Sequence, residues 1–121
     1  MENKGPVYNK SFEFALMIID LNQKLNKDGK FDLSRQLLRS GTSIGANVNE
    51  AGAAVSKNDF INKMSIASKE ARESLYWLRL LKVSDSVNLD ITKEYDKCLE
   101  LVKLLTAIVK TSQLNTKKTK H

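Results

Sequence analysis

The chain has 121 residues, 41% of them hydrophobic, with five glycines, one proline and a formal net charge of +6. That length suits one domain with a core of its own, and so few helix breakers favour helices over a turn-rich β-fold. One cysteine, Cys98, excludes an intrachain disulfide and a four-cysteine zinc site, and no run of apolar residues reaches the ~18 that a membrane span needs.

Pro6 suits the first turn of a helix, where its missing N–H costs nothing. From there to about residue 26, Phe14, Ile18, Leu21 and Leu25 recur at steps of four, three and four, the stripe of an amphipathic helix. Gly29 breaks the pattern. A second helix is expected over about 33–55, opening near Asp32 as N-cap, with Leu33, Leu37, Ile44, Val48, Ala51 and Val55 inward. Ser56 to Asp59 reads as a capping box with Asp in place of Glu, so a third helix starts at once. It runs over about 58–84 on Phe60, Met64, Ala67, Ala71, Leu75 and Leu78. After a loop at 84–88, a fourth helix covers about 90–114 on Ile91, Tyr95, Cys98, Val102, Leu105 and Val109. Four amphipathic helices with short connections predict an all-α, antiparallel up-down-up-down bundle. Residues 115–121 hold Lys117, Lys118 and Lys120 and no acid, which reads as a basic, disordered tail.

Two features exceed what a lone bundle needs. Phe12, Leu16 and Ile19 form a second apolar stripe on the first helix, as do Leu101, Leu104 and Ile108 on the fourth. On the third helix, Tyr76 and Leu80 point outward with Trp77 on the flank. Soluble monomers avoid large apolar patches, so these nine residues are the expected contacts of a symmetric homo-oligomer. Second, Lys69, Arg72 and Arg79 flank Tyr76 on the same outer face, and Arg35 and Arg39 lie on the polar face of helix two. Basic side chains beside an aromatic suit a nucleic-acid surface, and the tail lysines could add phosphate contacts. A salt-bridged protein interface is the other reading of that face.

The catalytic inventory is thin. The one histidine, His121, is the last residue, which leaves no Ser–His or Cys–His pair and no Glu-x-x-His metal motif in the domain. No phosphate-binding glycine loop is present. Cys98 lies on the core stripe and reads as a packed side chain. Gly41 and Gly45, four apart, read as a place where helix two closely approaches a neighbour. Ser43, Asn47 and Glu50 share one face and read as a structural polar network with Glu70 or Arg72 of helix three. A non-enzymatic protein without a cofactor, in the reducing cytoplasm, is expected.

The block Gln36-Leu-Leu-Arg-Ser-Gly-Thr-Ser-Ile-Gly-Ala-Asn-Val-Asn-Glu-Ala51 resembles the signature of the 23S rRNA-intervening sequence (S23) family of four-helix bundles. Asp59 to Ala71 and Glu73 to Leu81 resemble that family's third helix. The resemblance implies a homopentameric, barrel-like ring. It also implies kinship with the accessory proteins of diversity-generating retroelements, which bind a reverse transcriptase and nucleic acid. RNA or DNA is therefore one expected partner and a protein such as a reverse transcriptase another. The alternative is a protein-interaction scaffold whose charge only keeps it soluble.

Overall fold

The computed structural model describes residues 5–84 and 88–118, with backbone alone for 117 and 118. It contains four helices and, among the described residues, no strand: α1 (Pro6–Lys27), α2 (Phe31–Gly52), α3 (Lys57–Val83) and α4 (Thr92–Lys118). None is long and apolar enough to cross a membrane. Each helix packs antiparallel on the next, α4 closes against α1, and α1 and α3 take diagonal corners.

The ends of the helices follow from local chemistry. α1 stops at Gly29, whose φ of +77° is open to glycine at no steric cost. Gly29 N–H donates to Asn26 O (3.1 Å) and Lys30 N–H to Leu25 O (3.0 Å), which satisfies the last carbonyls of the helix. That turn delivers the chain two residues earlier than the sequence suggests. α2 starts at Phe31 after Lys30, and Asp32 lies inside the helix rather than capping it. The Ser56 box is present: Asp59 N–H donates to Ser56 Oγ (3.0 Å), and Val55 N–H donates to Asp59 Oδ2 (3.4 Å).

Two expectations about length need correcting. α2 ends at Gly52, so Val55 falls in the turn and is 93% exposed instead of lining the core. α4 continues to Lys118, past the expected end at Leu114, so part of the segment read as tail is helical. Lys120 and His121, and the middle of the loop at 85–87, lie outside the described residues, as do the side chains of Lys117 and Lys118.

The core follows the predicted stripes. Phe14, Ile18, Leu21 and Leu25 of α1 meet Leu37, Ile44, Val48 and Ala51 of α2, Met64, Ala67, Ala71 and Leu78 of α3, Ile91 just before α4, and Cys98 and Leu105 of α4. Leu33, Phe60, Leu75, Tyr95, Val102 and Val109 are half-buried at its margin. α1 and α2 approach closely at Gly41, where a Cβ would come within 2.9 Å of the Ile18 side chain. At Gly45 a Cβ would come within 3.3 Å of Ser11 O.

Candidate functional site: the two flanks of helix α3

Helix α3 turns one side to α2 and the other to α4, and its outer face lies between. At 100° per residue, Lys69, Arg72, Tyr76, Arg79 and Leu80 share that outer arc, and all five are exposed. Tyr76 stacks edge-on against Trp77, with ring centroids 5.2 Å apart and planes at 64°. Trp77 is half-buried against the core, and its indole Nε1 has no hydrogen-bond partner among the described residues.

The α2 flank is sealed by polar contacts. Ser74 Oγ donates to Ser40 Oγ at 2.8 Å, and both serines are buried. Above them the Arg39 guanidinium bridges Glu70 Oε2 at 3.2 Å and Glu73 Oε2. Two expectations change as a result. Arg39, a candidate phosphate contact, is committed to two carboxylates of the neighbouring helix. The expected network of Ser43, Asn47, Glu50 and Glu70 does not form across the helices. Ser43 Oγ donates to Arg39 O (2.6 Å) and Asn47 Nδ2 to Ser43 O (2.9 Å), both within α2, while Glu50 is exposed. Short polar side chains reach the carbonyl one turn back more easily than a neighbouring helix. The true cross-helix pair, Ser40–Ser74, was masked in the sequence by serine's ambiguity between core and surface. Arg35 stays solvated, 3.8 Å from Asp32 and 77% exposed.

The α4 flank is open. A groove of about 250 Å³ runs between the helices, lined by Ser65, Ser68 and Arg72 of α3 and Thr106, Val109, Lys110 and Gln113 of α4. Arg72 and Lys110 make no ion pair among the described residues, nor do Lys69, Arg79 and Lys103. Lys110 and Lys103 were missed in the sequence because single lysines spaced seven apart look like ordinary solvated positions. The acid before them on α4, Glu100, turns to α1 and accepts from Lys10 Nζ at 3.0 Å. That hydrogen bond and the lysine's charge hold the Glu100 carboxyl below its ordinary value. Beneath the groove, Cys98 Sγ–H donates to Ala71 O (3.3 Å), and burial pushes the thiol up to about 12. It is a packed side chain with no means of acting as a nucleophile at neutral pH.

The expected apolar surface is present in part. Phe12, Leu16 and Ile19 stand out from α1, and Tyr76 and Leu80 from α3. Leu101 is a correction, being 1% exposed and part of the core. Leu104 and Ile108 are half-buried, Ile108 against the core. Leu104 and Ile108 lie on the side of α4 from which Glu100 turns to α1. Because α1 and α3 are diagonal, the two remaining apolar faces point away from each other. Among the described residues no group of three or more His, Cys, Asp or Glu could hold a metal ion.

The family model for the 23S rRNA-intervening sequence protein matches residues 3–107. The crystal structure of a protein of unknown function from the S23 ribosomal protein family of Bacteroides thetaiotaomicron VPI-5482 is 46% identical. It superposes with a TM-score of 0.81, covering 87% of this chain and 99% of its own. No curated protein matches the chain. A family match across most of the sequence and a relative sharing nearly half its residues agree with the fold: the chain belongs to the 23S rRNA-intervening sequence protein family.

Proposed function

We propose that this protein is a non-enzymatic, self-associating helical bundle that binds nucleic acid through the outer face of α3. The observation that carries the reading is the contrast in pairing. Lys69, Arg72 and Arg79 are exposed beside Tyr76 and make no ion pair among the described residues, whereas Arg39, on the next helix, is tied to Glu70 and Glu73. Unpaired cations next to an exposed aromatic ring can take phosphates and stack a base. Arg35 and the lysines after residue 116 would add to the same positive field. The family's name, which refers to 23S rRNA, supports the direction of the reading.

The test is fluorescence anisotropy of labelled RNA and DNA over a salt series. Binding that weakens steeply with salt, and weakens further in the Arg72→Ala, Arg79→Ala double variant, is the expected result. Absence of binding at low salt would overturn it.

A second reading rests on the α1 stripe. Phe12, Leu16 and Ile19 are 44%, 54% and 43% exposed, an apolar face that a second copy or another protein would cover. Self-association into a ring, a pentamer by family resemblance, is the form we favour. Light scattering checks it, and a mass near the 13.6 kDa of one chain would sink it.

A further inference from the structure

Resting on the nucleic-acid reading, we propose that the groove between α3 and α4 seats the sugar–phosphate backbone of a single nucleic-acid strand. Arg72, Lys103 and Lys110 are its phosphate contacts, and Ser65 and Ser68 its hydroxyl donors.

The first support is the arrangement of charge. Arg72 and Lys110 line the two walls of one recess. Lys103 lies seven residues before Lys110, on the same face of α4, and is exposed. The Cys98–Ala71 bond sets the antiparallel register, and from it the three cations follow one another along the seam at intervals of about 10 Å. None has an acidic partner among the described residues. From Leu101 to the end of the chain there is no aspartate or glutamate at all. By the same register Asp96, one heptad before Lys103 on the same face of α4, comes level with Arg72 and places a negative charge at that end of the row.

The second support is the hydroxyls. Thr106 and Ser112 donate back to Val102 O and Ile108 O of their own helix, at 2.7 Å each. Ser65 and Ser68 do neither: their hydroxyls make no hydrogen bond among the described residues, though Ser68 is only 5% exposed. Both line the groove, so the floor carries donors with nothing to donate to. Phosphate oxygens accept from hydroxyls, lysine and arginine alike.

The shape selects one strand over two. A single row of cations in a recess between packed helices matches one row of phosphates lying lengthwise. A duplex presents two rows on a convex rod, and only its rim would reach the floor. Cationic grooves that track one backbone are how proteins hold single strands without reading sequence.

The experiment measures anisotropy of a labelled twenty-nucleotide poly-uridine or poly-thymidine strand, and of a duplex of equal length, with the full chain. Circular dichroism checks that each variant keeps its helices. Single strand should bind more tightly than duplex. Arg72→Ala, Lys103→Ala and Lys110→Ala should each weaken it about three- to tenfold and lower the salt slope by about 0.7. Ser68→Ala should weaken binding without changing the slope, and Asp96→Asn should tighten it. If Lys103→Ala and Lys110→Ala leave binding unchanged while the Lys69→Ala, Arg79→Ala pair abolishes it, the groove falls and the broader nucleic-acid reading stands. Duplex bound as tightly as single strand overturns the single-strand assignment. Failure of the unmodified protein to bind either overturns both.

Discussion

The two flanks of α3 are built from similar residues and differ in what those residues do. Toward α2, serines face each other in the interior and an arginine lies across two glutamates. Toward α4, serines and cations face a groove and have no protein partner. Burial decides the difference. Polar groups removed from water need partners, so a closed seam must pair them. A seam that opens to solvent leaves them available to a ligand.

The largest effect is expected at what both flanks share. Leu78, fully buried in α3, supports the whole helix. Leu78→Ala should lower stability by about 2–5 kcal/mol in urea unfolding. Next in size is Cys98, under the open flank. Folding favours its neutral thiol, whose pKa is raised to about 12. The stability it contributes is therefore present below the ordinary thiol pKa and is lost as pH rises toward 12. Cys98→Ala should flatten that alkaline loss relative to the parent chain, and an equal slope in both would show the thiol to be wet. On the sealed flank, Ser40→Ala removes the acceptor of a buried hydroxyl and should cost about 1–3 kcal/mol. The Ser40→Ala, Ser74→Ala double variant should cost less than the two singles summed, which a double-mutant cycle would measure. Arg39→Ala should cost under about 1 kcal/mol, and less in high salt, because the guanidinium is half exposed. Smallest of all, Arg72→Ala should change stability by no more than about 0.5 kcal/mol. A larger loss would mean that the open flank is paired after all.

Much of this bundle can be read from periodicity. The stripe from Phe14 to Leu25 is buried at every position, and the capping of α3 follows from Ser56 and Asp59. Gly29 marks the turn in the sequence as well, though its hydrogen bonds start α2 two residues early. Where reading failed, the cause was what lay across from a residue. Leu101 looks like a surface leucine in the sequence, yet it is buried once the four helices pack. Ser43 and Ser40 are the same residue type three positions apart, and only the position of α3 decides which one meets Ser74. The candidate site was half legible: Arg72 and Tyr76 share a face that periodicity shows. Lys110 joins them only through the register of another helix, and Arg39 leaves them for the same reason.

The diagonal placement of α1 and α3 bears on growth of any assembly. Their apolar faces look in opposite directions, so no single neighbour can cover both. A twofold pair through α1 would leave the α3 face of each copy bare, and the reverse pairing would leave α1 bare. A contact of α1 with the α3 of the next copy would cover one of each and regenerate the same two unsatisfied ends, but it would compete with nucleic acid for the face that carries Tyr76. Such a chain of subunits stops only when its last member meets its first. On the self-association reading, the geometry of one contact, repeated, would set the number of subunits, so the exposed Leu16 and Leu80 are where a substitution would change that number.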